Sequence, residues 1–104
     1  MQNAMVQLTD QHILRRSSDV VERKIHGTYF LIDITDNYSD DQCALYEIND
    51  IGSFIWNCID GYRRIGDIAV ELQNAITDEV DLQILIDDIY EFVEALLLKR
   101  FVEV

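Results

Sequence analysis

The sequence predicts an α+β fold, with a three-stranded antiparallel sheet followed by three helices. In the first half of the chain, β-branched and apolar residues alternate with charges between turn signals. In the second half, apolar residues recur at three- and four-residue spacing. The two halves meet in residues 46–61, YEINDIGSFIWNCIDG, where a strand end runs directly into a helix.

A chain of 104 residues, 49% of them hydrophobic, is long enough for one modest core. We therefore expect residues 1–104 to form a single domain. Residues 1–17 are polar and show only weak hydrophobic periodicity, so this N-terminal segment is poorly defined. We expect it to form either a short turn of helix or a strand that packs against the sheet.

The three strands follow one another in a meander. Residues 19–25 predict the first strand, His26-Gly27 a turn, and residues 28–34 the second strand, which is apolar on both sides and therefore central. Residues 35–42 form a polar loop, and residues 43–48 predict the third strand.

The third strand lies at the edge of such a sheet, so one row of its backbone N–H and C=O groups lacks a partner. Two interpretations stay open. The acidic side chains of Asp40, Asp41 and Glu47 could protect the edge from association. Alternatively, the edge could accept an extended peptide as an added strand.

The first helix begins after Asn49 or Asp50, which are good capping residues, and Asp60-Gly61 ends it. Trp56 lies off its apolar face and needs a second packing surface or stays partly exposed. The spacing places five residues on that apolar face: Ile51, Phe54, Ile55, Cys58 and Ile59.

Two further helices follow. Residues 65–76 predict the second helix, and residues 82–99 predict a long third helix that Asp81 caps. The apolar stripe of the third helix is wide, which fits either a helix wedged between two neighbours or one wall of an apolar groove. The residues that widen it are Ile86, Tyr90 and Leu97, and residues 101–104 predict a short final strand.

The charge of the chain excludes some partners. Eight basic residues stand against twenty acidic ones, for a formal net charge of −12. Nucleic acids and anionic membranes attract basic proteins, so neither is an expected partner. Cys43 and Cys58 form no CxxC pair, and no signal peptide or membrane-spanning run occurs, so we expect a cytoplasmic protein.

Residue patterns for catalysis are absent from the sequence. His12 and His26 have no partners at metal-ligand spacing, and the four glycines form no phosphate-binding loop. The carboxylates of the third helix, Asp88 among them, are typical of a solvated helix face. We therefore expect no enzyme and no cofactor.

The junction and the third helix together resemble the PqqD-like family, which is named for pyrroloquinoline quinone biosynthesis protein D. Its members are also called recognition elements for ribosomally synthesised and modified peptides. The resemblance covers about residues 15–104 and departs from the family's pattern at Ile48 and Arg100. It rests on Tyr46, Asn49, Gly52, Ile55-Trp56, Asp60-Gly61, Asp88, Phe92, Leu96 and Phe101-Val102.

The resemblance implies a winged helix-turn-helix-like domain that binds the leader region of a precursor peptide. In the family, the leader adds an antiparallel strand to the third strand, in a groove that the third helix closes. The implied peptide-binding residues are Cys43, Ala44, Leu45, Tyr46, Glu47, Ile86, Asp87, Tyr90, Val93 and Leu97.

The resemblance also implies a modifying enzyme as a second partner, such as a radical SAM protein, a leader peptidase or a cyclase. The peptide could belong to pyrroloquinoline quinone, lasso peptide or other biosynthesis. The alternative is a winged-helix DNA-binding regulator, which needs a basic recognition helix that this acidic chain lacks.

Overall fold

The computed structural model describes residues 7–35 and 45–104, and it confirms a three-stranded antiparallel sheet followed by three helices. In chain order, the elements are β1 Arg15–Arg16, β2 Val20–Ile25, β3 Thr28–Asp33, β4 Leu45–Ile48, α1 Asp50–Cys58, α2 Ile65–Ala75, α3 Leu82–Leu98 and β5 Val102–Glu103.

A two-residue hairpin joins β2 to β3. His26 and Gly27 both have positive φ, of 51° and 83°. Two left-handed residues in succession give a turn whose twist matches that of the flanking strands. The strand order is β2-β3-β4, so β3 is central, as the sequence predicts.

The two faces of the sheet differ in their surroundings. Leu31 in β3 is fully buried against the helices. Phe30 and Ile32, its neighbours along the strand, point to the opposite face because side chains alternate along a strand. Both are only partly buried. The apolar pattern on both sides of β3 therefore marks one core face and one half-exposed face.

A second, two-stranded sheet ties the N-terminal segment to the C-terminal tail. Arg15 pairs with Glu103 and Arg16 with Val102, in antiparallel register. The predicted final strand is therefore confirmed. The N-terminal segment forms a strand as one of the two alternatives expected, but its partner is the tail and not the main sheet.

The turn from β4 into α1 takes one residue. Asn49 caps the helix, and its side chain accepts a hydrogen bond of 2.8 Å from the Gly52 N–H. The helix ends at Cys58, earlier than predicted, because the Ile59 backbone is already extended. Gly61, at φ 84°, then turns the chain, and its N–H donates to the Leu14 carbonyl at 3.0 Å.

The buried face of α1 is rotated from the predicted one. Ile55 and Trp56 are both 2% exposed, whereas Ile51 is 41% exposed, so the placement of Ile51 on the buried face was wrong. Because α1 has the sheet on one side and α2 on another, a second face is buried. Trp56 lies on the side of α1 toward β2, where it lines a hollow with Val20 and Val21, and the Arg16 guanidinium is 5.5 Å from the centre of its ring.

The second and third helices complete the core as their spacing predicts. Asp81 caps α3 and accepts a hydrogen bond of 2.8 Å from the Gln83 N–H. Within the two described ranges, no helix has the length and apolarity needed to cross a membrane. The fully buried residues of α2 and α3 are Ile65, Ile68, Ala69, Leu72, Ile89, Val93 and Leu96.

One polar contact fixes α1 against the sheet. Glu22 of β2 accepts hydrogen bonds from the Ser53 hydroxyl and, at 3.0 Å, from the Asn57 side-chain amide. Ser53 is 8% exposed, so its hydroxyl has little access to water. A buried polar group that loses its partner costs free energy, so this contact stabilises one arrangement of helix and sheet.

We predict that Glu22→Ala lowers the free energy of unfolding by about 1–2 kcal/mol, because it leaves the Ser53 hydroxyl without its acceptor. Urea denaturation followed by circular dichroism measures the change. Glu79→Ala, at an exposed position in the loop before α3, is the control and should leave stability unchanged. Equal stabilities of the two variants would contradict the prediction.

Candidate functional site

The candidate site begins with the hydrogen-bond pattern of the main sheet. The pair that flanks a two-residue hairpin, here Ile25 and Thr28, exchanges both backbone hydrogen bonds. Bonded and non-bonded pairs then alternate along the two strands. The Ile34 N–H donates to the Asp19 carbonyl at 2.8 Å, as this alternation requires.

The alternation decides which way β4 directs its backbone groups. Tyr29 and Leu31 of β3 face β4, where they pair with Ile48 and Tyr46. The N–H and C=O of Glu47 consequently point away from β3, toward the outer edge. No strand within residues 7–35 and 45–104 lies beyond β4. An added strand could therefore hydrogen-bond to Glu47 without disturbing the existing sheet.

The side chains of β4 divide between the two faces of the sheet. Tyr46 packs edge-on against Phe101, with the ring centres 6.4 Å apart, and the Lys99 ammonium lies 4.8 Å from the Tyr46 ring centre. Ile48 is buried on the same face, whereas Leu45 is 44% exposed on the other. The last turn of α3 and the residues after it thus lie beside Tyr46.

At its other end, β4 meets α1 and α3 at Gly52. A Cβ on Gly52 would lie 3.1 Å from the Cβ of Ile48 and 3.3 Å from the Phe92 ring. Glycine is therefore required for the close approach of these elements. Ile48 lies near Phe92 and Tyr46 near Lys99, so β4 and α3 run side by side in opposite directions.

The two margins of the α3 stripe face different neighbours. Phe92 and Tyr90 are two residues apart, which places them about 160° apart around the helix. Phe92 is on the margin near β4. Tyr90 is on the opposite margin, where burial and the nearby charges of Asp10 and Asp87 raise the pKa of its hydroxyl. Asp10 itself contacts Gly66 at the start of α2.

The structure therefore separates the residues that the resemblance implied. Leu45, Tyr46 and Glu47 lie in the edge strand, whereas Cys43 and Ala44 are outside the described residues. Val93 is fully buried in the core. The remaining implied residues of α3, Ile86, Asp87, Tyr90 and Leu97, lie on the margin away from Phe92.

Phe92, Lys99 and Phe101 were not named as site residues from the sequence, yet these residues lie beside β4. Phe92 and Phe101 did belong to the motif that carried the family resemblance. The hydrophobic stripe alone does not tell which margin of a helix faces a given strand. Gly52 is a sequence signal for this contact, because its missing side chain marks where Ile48 and Phe92 lie close together.

Metal ligands, activated thiols and basic helices are scarce among the described residues. Within the described ranges, no group of three or more His, Cys, Asp or Glu residues could hold a metal ion. Burial and the nearby Glu71 carboxylate raise the pKa of the Cys58 thiol, so it is a poor nucleophile. Helices α2 and α3 contain no Lys or Arg, which argues against a DNA recognition helix.

Comparison with known proteins identifies relatives of this arrangement. The sequence model of the family described as coenzyme PQQ synthesis protein D (PqqD) matches residues 38–102. No curated protein matches. The solved structure of TbiB1 in complex with the TbiA(beta) leader peptide is similar, with a TM-score of 0.66 and 21% identity. The match covers 86% of this chain and 94% of that one, and it shows a shared fold.

We predict that Gly52→Ala lowers the free energy of unfolding by about 1–3 kcal/mol, because the Ile48 Cβ is fixed to the backbone and cannot rotate away from the added methyl group. Thermal and urea denaturation measure the effect. Asp50→Ala, at an exposed position of the same helix, is the control. A Gly52→Ala protein as stable as the native one would show that the junction is not closely packed.

Proposed function

We propose, because this chain belongs to the PqqD family, that it binds the leader region of a ribosomally made precursor peptide as an added strand on β4. The observation that carries the proposal is the outward direction of the Glu47 backbone at an edge beside α3. Strand addition of this kind gives affinity through main-chain hydrogen bonds and specificity through pockets for alternate side chains.

The groove that receives the peptide would lie between the outer edge of β4 and the Phe92 margin of α3. Its apolar surface is supplied by Phe92 and the ring of Tyr46, and Lys99 stands at one end. A fully buried aliphatic or aromatic side chain of the peptide would contribute about 1.5–3 kcal/mol. Such side chains and the backbone hydrogen bonds together would have to outweigh the entropy lost on association.

The relative in the solved complex supports this reading, since TbiB1 is seen there with a leader peptide and shares the fold of this chain. We further propose that the protein performs no chemistry itself and presents the bound peptide to a modifying enzyme, such as a radical SAM protein, a leader peptidase or a cyclase. Holding the peptide beside the enzyme raises its effective concentration there. Pyrroloquinoline quinone and lasso peptide biosynthesis are both candidates for its setting, in the cytoplasm.

We predict that Glu47→Pro weakens leader-peptide binding by about tenfold or more, since the substitution removes the outward N–H and costs at least one hydrogen bond. Proline is tolerated where the lost N–H faces away from the sheet, so the fold should survive. Isothermal titration with the leader peptide encoded beside the gene measures the affinity, and circular dichroism checks the fold.

Two control variants separate backbone from side-chain effects in this experiment. Glu47→Ala keeps the N–H and should bind the peptide within about twofold of the native protein. Tyr46→Pro removes an N–H that faces β3 and should destabilise the sheet itself. If Glu47→Pro folds and binds the peptide normally, strand addition on β4 is wrong.

We predict that Phe92→Ala weakens peptide binding by about tenfold, whereas Tyr90→Ala changes it by less than about twofold, because only the Phe92 margin of α3 lies beside β4. The two substitutions are matched, since both remove a partly buried aromatic ring from the same helix. Titration of each variant with the leader peptide distinguishes the margins. A loss confined to Tyr90→Ala would place the groove on the margin named from the sequence.

A further inference from the structure

Four of the eight basic residues gather on one surface of this acidic protein. The N-terminal segment runs antiparallel to the chain that follows α1: the Gly61 N–H donates to the Leu14 carbonyl at 3.0 Å, and the Ile65 N–H donates to the His12 carbonyl at 2.9 Å. We call this the basic surface, and its members are Arg15, Arg16, Arg64 and Arg100, together with Tyr62.

The shape of the basic surface is concave. A hollow of about 380 Å³ is lined by Arg15, Arg16, Asp60 and Tyr62 among others. A second hollow, of about 440 Å³, is lined by Arg16, Arg100 and one carboxylate residue, Glu103, among others. Arg16 lines both hollows, so they lie next to each other.

The arginines of the basic surface are not used within the fold as ion pairs. Among the described residues, the salt bridges are those of Arg63, with Asp60 at 2.9 Å and Glu71 at 2.6 Å. The Asp60 carboxylate is also occupied by the backbone N–H groups of Tyr62 and Arg63. In residues 7–35 and 45–104, all four arginines are exposed and none forms an ion pair, although Arg16 also stacks on Trp56.

The composition of the basic surface is that of a protein interface. The planar guanidinium group of arginine binds a carboxylate through two parallel hydrogen bonds. Tyr62 is 84% exposed, and tyrosine and arginine are the residues most enriched among those that dominate binding energy. The net charge of −12 disfavours nucleic acid, which leaves a protein with an acidic surface as the fitting partner.

The position of the basic surface indicates which protein that is, and this step rests on the proposed function. A peptide strand antiparallel to β4 would run from the Ile48 end toward Lys99, and Arg100 follows Lys99 directly. The C-terminal end of the bound leader would therefore emerge beside Arg100. The core peptide follows its leader, so the enzyme that modifies the core must reach this end of the groove.

We propose that the basic surface is the docking site for an acidic surface of the enzyme that acts on the bound peptide. The arginines and Tyr62 hold that enzyme where the core peptide leaves the groove. Peptide and enzyme then occupy different surfaces of one small domain, and each can bind without displacing the other.

The test uses the full chain labelled with ¹⁵N and a decamer of glutamate as the probe of an acidic protein surface. We expect saturable amide shifts at Arg15, Gly61, Tyr62 and Arg100, and none at Glu47. The shifts should disappear in about 0.5 M salt because exposed charges are then screened. Absent or scattered shifts would overturn the proposal.

Charge-reversal variants sharpen this test. Arg15→Glu with Arg64→Glu should weaken binding of the glutamate decamer about tenfold or more. Arg23→Glu with Lys24→Glu makes the same change of charge on β2 and should have less than about twofold effect. Arg16 is left in place because it stacks on Trp56. Equal losses in the two double variants would show a non-specific effect of net charge and overturn the proposal.

Two further binding measurements identify the class of partner and distinguish failure of this proposal from failure of the proposed function. A ten-nucleotide oligothymidylate should bind more weakly than the glutamate decamer, and tighter binding would make the surface a nucleic-acid site instead. The Arg15→Glu, Arg64→Glu protein should still bind the leader peptide like the native one. If the native protein binds the decamer but no leader peptide, the proposed function fails while the basic surface stands.

Discussion

The close approach of α1 to β4 and α3 at Gly52 is the constraint on which the rest of this structure depends. Asn49 turns the chain from strand to helix in a single residue, and the absent side chain of Gly52 lets Ile48 and Phe92 lie against the same point. The edge of β4 consequently lies along α3. A bulkier residue at this point would force β4, α1 and α3 apart.

Within the described residues, β4 is the outer strand of the main sheet and lies beside α3. An edge strand with unpaired backbone groups is a risk for association, and many proteins protect it with charge or cover. Here α3 stands beside the edge, Glu47 places a carboxylate on the strand, and Lys99 stacks on Tyr46. Charge and a neighbouring helix are therefore both present along this edge.

The fold was largely predictable from the sequence because its signals are local. The turn at His26-Gly27, the cap at Asn49 and the spacing of Ile65, Ile68 and Leu72 each depend on a few neighbouring residues. The burial of Trp56 was left open and Ile51 was misplaced, since both depend on how α1 lies between the sheet and α2. The pairing of β1 with β5 joins segments that are far apart in the sequence. Such a contact cannot be predicted from the pattern of neighbouring residues.

The edge position of β4 was predictable from the sequence, but the side of α3 that lies beside it was not. An edge position follows from the meander order of the strands, whereas the side of α3 that faces the edge is fixed by tertiary contacts through Phe92.

The pairing of Arg15–Arg16 with Val102–Glu103 has a further consequence, for synthesis on the ribosome. The hairpin of β2 and β3 can close soon after it emerges, but Arg15, Arg16 and Arg100 come together only when translation has reached β5. A nascent chain therefore lacks this arrangement of arginines until β5 has been synthesised and paired with β1.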